Sequence, residues 1–116
     1  MTALAQEHLD RGIELKSAGQ YDEAIAEIKA VLELDPMCAE AHRQLGLVYG
    51  FTGLLEQAVQ ELMEAIALDG GNTHARNDLA LTYTMLGMMD EAKAQFEAVL
   101  IIDPENLVAK RNMEFL

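Results

Sequence analysis

The chain repeats itself with a period of 34 residues: Gly12, Gly46 and Ala80 share one phase, Gly19, Gly53 and Gly87 a second, and Ala24, Ala58 and Ala92 a third. The frames run 5–38, 39–72 and 73–106 with nothing inserted between them. A strict period of this length points to stacked helical hairpins, because each unit is too short to bury its own apolar face and must share a core with its neighbours. Three units fill nearly all of the 116 residues, so a single domain over 1–116 is expected.

Inside the first frame Leu9, Ile13 and Leu15, then Tyr21, Ala24, Ile25, Ile28, Val31 and Leu32, recur at three- and four-residue steps, the spacing of one helix face. That gives two helices per frame. The glycine at the Gly19 phase suits the left-handed residue that ends a helix, and Asp35-Pro36 and Asp103-Pro104 stop the second helices because proline cannot continue the ladder. Gly12 and Gly46 fall inside first helices, where glycine costs about 1 kcal/mol against alanine. Their use predicts a close helix–helix approach there. The residues after Asn106 continue in phase as a short capping helix over 107–116, with Ala109, Met113 and Leu116 on one face.

With no Trp, three Phe and three Tyr, packing falls to Ala, Leu, Ile and Met within a 51% hydrophobic chain. The one cysteine, Cys38, has no partner for an intrachain disulfide, which favours a reducing, cytoplasmic setting. Its place in the turn after Pro36 predicts a mildly exposed, unreactive thiol. No stretch approaches the ~18 apolar residues of a membrane span.

Net charge is −12, unevenly placed. First helices nearly balance Glu7, Asp10, Glu14, Glu40 and Asp78 against Arg11, Lys16, Arg43 and Arg76. Second helices and their ends carry thirteen acids against Lys29 and Lys93. Such a chain offers phosphates no basic face, so nucleic acid is not an expected partner. The acidic face reads as solvated surface.

Sites for chemistry are missing from the pattern. His8 and His42 share a phase and stack about one repeat, roughly 10 Å, apart, too far to share a metal. Gly46, Gly50 and Gly53 lie in a helix and lack the lysine and preceding strand of a phosphate loop. The lone serine, Ser17, has no neighbouring base. Neither an enzyme nor a cofactor or metal is expected.

Gln44 through Tyr49, then Gly53, Ala58, Leu62 and Ala65, resembles the tetratricopeptide repeat, as do Gly12 with Tyr21 through Ile25 and Leu32 through Pro36, and Leu79, Ala80, Tyr83, Gly87, Asp90 through Ala92, Phe96 and Asp103-Pro104. The resemblance implies an all-α, right-handed solenoid of three helix-turn-helix repeats plus the C-terminal cap. First helices would line a concave groove, and the acidic second helices would form the back. Departures are Arg11 for the usual Leu, His8, His42 and Arg76 for a frequent aromatic, and Gly70 for the usual Pro.

What the resemblance further implies is a non-enzymatic protein-interaction module, an adaptor, scaffold or chaperone that holds a partner peptide or helix in the groove. The groove residues would be Leu9, Ile13, Arg43, Gln44, Leu47, Phe51, His74, Asn77, Leu81 and Met85. Ile13, Leu47 and Leu81 form an apolar line that Phe51 and Met85 widen, beside the hydrogen-bonding Arg43, Gln44 and Asn77. The same stripe could instead be core. Family members that clamp the acidic C-termini of heat-shock chaperones use basic and amide residues where this chain has Leu9, Ile13, Gln44, His74 and Asp78, so that clamp is absent. The alternative is an assembly role, a homodimer through the apolar C-terminal end with Ile101, Leu107, Val108 and Phe115.

Overall fold

The computed structural model describes residues 1–116 as seven helices: α1 Ala3–Ser17, α2 Tyr21–Leu34, α3 Ala39–Phe51, α4 Leu55–Leu68, α5 Thr73–Met85, α6 Met89–Ile102 and α7 Leu107–Met113. Each odd helix pairs with the next to form a hairpin, and α7 closes against α6. The result is a helical solenoid, 41 × 26 × 20 Å. First helices also touch across repeats, α1 with α3 and α3 with α5, while α4 and α6 make no comparable contact. One face is therefore drawn together and the other fans open.

The turns follow from their glycines. Gly19, Gly53 and Gly87 have φ of 77°, 83° and 77°, the left-handed region that a side chain disfavours. In the first turn Gln20 N–H donates to Leu15 O at 2.9 Å and Gly19 N–H to Lys16 O at 3.0 Å, the paired bonds that satisfy a helix end. Both bonds recur in the other two turns.

The interior glycines mark close approach. A Cβ on Gly12 would stand 2.8 Å from Cγ1 of Ile28, and one on Gly46 would stand 2.8 Å from Cγ of Leu62. Buried Ala24, Ile28, Val31, Leu45 and Val48 make the core of the first repeats, and Ala80, Phe96, Val99 and Ala109 that of the last. The third repeat therefore accepts Ala80 where the others have glycine, opposite Phe96 in place of Ile28 and Leu62.

A polar latch recurs at the period. His8 Nδ1 lies 2.6 Å from Glu27 Oε2, His42 Nδ1 lies 2.7 Å from Glu61 Oε2, and Arg76 Nη1 donates to Gln95 Oε1 at 3.0 Å. Each joins a first helix to its own second helix. His42 Nε2 and Arg76 Nε also reach back to the preceding turn, 2.9 Å from Pro36 O and 2.9 Å from Gly70 O. The residues replacing the family's aromatic thus bind the hairpin through hydrogen bonds, and Glu27 and Glu61 are not free members of the acidic back.

Two expectations need correction. Cys38 is buried, not mildly exposed, because from the N-cap position of α3, where it makes no capping bond, it packs into the core of the first repeats, with its Sγ 4.0 Å from Met1 Sδ. The capping helix stops at Met113, so Leu116 lies beyond it and is exposed, while Ala109 and Met113 do pack on α6. No helix is long and apolar enough to cross a membrane.

Candidate functional site

The contracted face carries a pocket of 370 Å³ between α3 and α5. Leu47, Phe51, Leu81 and Met85 form its walls, Leu62 of α4 and Thr82 its floor, and Asp78 one end. Part of the opening comes from Gly50, where a Cβ would meet nothing within 4 Å, whereas Gly46 is closed by Leu62. Phe51 and Met85 remain about 60% exposed (59% and 60%) and Leu81 36%, a large cost in unburied apolar surface for residues one turn from the core. Phe51 is steadied from one side by Tyr21, with ring centroids 5.9 Å apart.

Beside the pocket runs a polar chain. Lys16 Nζ donates to Gln44 Oε1 at 2.6 Å, and Gln44 Nε2 donates to Glu40 Oε1 at 2.7 Å. Arg43 completes it, donating from Nη1 to Glu40 at 3.2 Å and from Nε to Asp78 Oδ2 at 2.8 Å. Burial raises the Asp78 carboxyl above its ordinary pKa, against the pull of Arg43. Burial, with the Arg43 charge, lowers the Lys16 ammonium. Charges on this face are therefore spent on one another, and the surface left to a ligand is mainly apolar.

The ten residues singled out from sequence do not share one environment. Leu47, Phe51, Leu81 and Met85 line the pocket, and Ile13 lies half-buried against the neighbouring core. His74 is exposed. Leu9 is 4% exposed and belongs to the core, so its side chain is not available in the groove. Asn77, at the same phase, is also buried, and its Nδ2 donates to Asn106 Oδ1 at 3.1 Å. Arg43, again at that phase, reaches Asp78 in the next repeat. This position faces the following first helix rather than the groove opening. Gln44 is buried as well, held between Lys16 and Glu40. Leu62 and Thr82, which complete the pocket, are not distinguishable from core residues in the sequence.

Comparison with known proteins agrees with this architecture. A family model described as a TPR repeat matches residues 12–53, and one described as a tetratricopeptide repeat matches residues 52–111. The chain belongs to the tetratricopeptide repeat family. Among solved structures, this tetratricopeptide chain is similar to the first TPR of Spaghetti (RPAP3) bound to HSP90 peptide SRMEEVD, with 23% identity over 99% of this chain and 91% of that one and a TM-score of 0.94. It is similar to the second TPR domain of the human RPAP3 protein in complex with HSP70 peptide SGPTIEEVD, at 28% identity over 97% and 93% of the two chains, with a TM-score of 0.90. MamA is also similar, at 28% identity over 90% of this chain and 61% of that one, with a TM-score of 0.86. No curated protein matches the chain.

Proposed function

We propose that this tetratricopeptide domain is a non-enzymatic protein-interaction module that holds a partner peptide in its concave groove. The observation that carries the reading is the open apolar pocket between α3 and α5, with Phe51, Leu81 and Met85 exposed at its mouth. Ligand pockets are concave and mostly apolar with a few polar groups to set orientation. Here the Asp78 carboxylate, held by Arg43 at 2.8 Å, supplies such a group at one end. The similar RPAP3 domains are described with peptides ending in EEVD. An acidic end of that kind would meet Asp78 in this groove, so the partner segment we infer is apolar rather than acidic.

Replacing Leu47 and Phe51 together by Ser tests the assignment. Hot-spot side chains cost about 2 kcal/mol or more on truncation, so binding of a captured partner segment falls at least roughly thirtyfold while helix content stays unchanged. Unfolding of the double variant would return these residues to the core and end the reading.

A second reading is assembly through the C-terminal end. Ile101 is 83% and Phe115 86% exposed, with Leu107 and Val108 beside them, an apolar surface that gains from a lid. In this reading a second copy provides it.

A further inference from the structure

The fanned side of the solenoid holds an opening that the groove reading does not use. Two cavities, of 230 and 280 Å³, lie end to end along α4 over α5 and meet at Tyr83, with Gln95 of α6 and Met88 just before it as the far edge. Met63, Ile66 and Ala67 line one, and Val59, Leu86 and Met88 line the other. Together they follow α4 from Glu56 to Ala67, about 16 Å at 1.5 Å per residue, or three helical turns. The floor is apolar, and Met63 stands 53% exposed over it with its Sδ 3.9 Å from the Tyr83 hydroxyl.

The repeat supplies its own control. The seam between α2 and α4 is built from the same phases, with Tyr49 in place of Tyr83, yet no cavity opens there. Lys29 and Glu33 stand in it where the next repeat has Met63 and Ala67. Two exposed charged side chains have become a flexible thioether and a methyl, which removes the solvation that would keep the seam content in water. Methionine adapts its shape to an incoming apolar surface.

Charge says what can approach. Glu56 lines the seam, and the exposed Glu64 and Glu91 stand one helical turn from its lining residues Gln60 and Gln95; against them are Lys93 of α6 and the Arg76 guanidinium, which is held to Gln95 at 3.0 Å. Acidic segments are repelled, and an uncharged apolar helix gains nothing from this rim. We propose that the convex seam along α4, edged by α6, is a second docking site, which takes an amphipathic helix of a partner protein with apolar side chains on its inner face and lysine or arginine along its edges. Three turns of helix match the length of the seam, and the basic edges meet Glu56 and Glu64 along α4 and Glu91 on α6. The site is independent of the concave groove and stands or falls separately from it.

Methionine methyls report on the two faces separately: Met63 and Met88 lie in the seam and Met85 in the groove. The full chain, labelled with carbon-13 at the methionine methyls, is titrated with a synthetic amphipathic helix of leucine and lysine, fourteen residues or about four turns long. The expected result is movement of the Met63 and Met88 signals with Met85 unchanged, and no movement with a leucine–glutamate peptide of the same pattern. Ala67→Glu then separates shape from charge. It restores the residue of the first repeat, fills the exposed seam and adds negative charge, so the proposal expects at least tenfold weaker binding. Equal or tighter binding by Ala67→Glu would show attraction by charge alone and overturn the proposal. Movement of Met85, with binding lost in Leu47→Ser and kept in Ala67→Glu, would place the peptide in the groove and overturn it too. Broadening of Met63 with protein concentration before any peptide is added would assign the seam to a second copy, with the same consequence.

Discussion

His42 and Glu61 are joined at 2.7 Å through Nδ1 of the ring, while Nε2 of the same ring lies 2.9 Å from the carbonyl oxygen of Pro36. A carboxylate and a carbonyl both accept, so only the doubly protonated imidazolium satisfies the two contacts at once. Burial of the ring opposes that charge, yet the Glu61 bond, the Pro36 carbonyl and the nearby Glu64 together raise its pKa above the ordinary value.

A raised folded-state pKa on a histidine gives stability that is complete below the unfolded value and lost as pH rises through the folded one. Urea midpoints are therefore expected to fall as pH climbs above about 6.5, and His42→Gln flattens that fall. Following the His42 ring proton by NMR gives the titration directly; a midpoint below that of an unstructured histidine would contradict the latch.

Cys38 occupies the phase at which Asn72 and Asn106 cap their helices, each accepting from a backbone N–H three residues on at 3.1 Å. Cys38 makes no such bond. Cys38→Asn is expected to stabilise the fold by about 1 kcal/mol, the usual worth of an N-cap side chain. Thermal unfolding of the two proteins side by side measures it, and a lower midpoint for the variant would mean that burial of the thiol outweighs the cap.

The junction between repeats two and three is expected to open before the junction between one and two. Gly70 and Gly71 leave the chain freer than Pro36 and Met37. Asp35 Oδ1 accepts from Met37 N–H at 3.2 Å, a bond Asp69 does not repeat. What ties the looser junction is Arg76 Nε to Gly70 O at 2.9 Å. Hydrogen exchange should be faster at residues 69–72 than at 35–38, and faster still in Arg76→Ala. Equal protection of the two turns would count against it.

Self-association through the C-terminal end separates assembly from a purely monomeric binding module. Ile101→Lys with Phe115→Ser removes the two most exposed apolar side chains there. If a second copy covers that surface, light scattering on the unaltered chain shows mass rising with concentration, more so as salt screens the acidic backs within about 10 Å at 0.1 M. The double variant then stays monomeric. A unaltered chain that is monomeric throughout rejects assembly.

The 34-residue period by itself determines much of this molecule. Gly12 and Gly46 announced the close helix contacts, Gly19, Gly53 and Gly87 the turns, and the one-sided placement of acids the charge of the back, because helical phase and backbone sterics are local properties of the chain. Phase alone could not say which first-helix positions stay open. Leu9, Arg43 and Asn77 share one phase, yet Leu9 is sealed under the next repeat, Arg43 reaches across to Asp78, and Asn77 is tied to Asn106. Cys38 sits in a turn and is nevertheless buried. The angle between successive hairpins decides these outcomes, and that angle is set by the packing of many side chains at once, such as Ile28 on Gly12 and Leu62 on Gly46. The pocket beside Phe51 and the seam beside Met63 are likewise gaps left between helices from different repeats, so they exist only in the assembled solenoid.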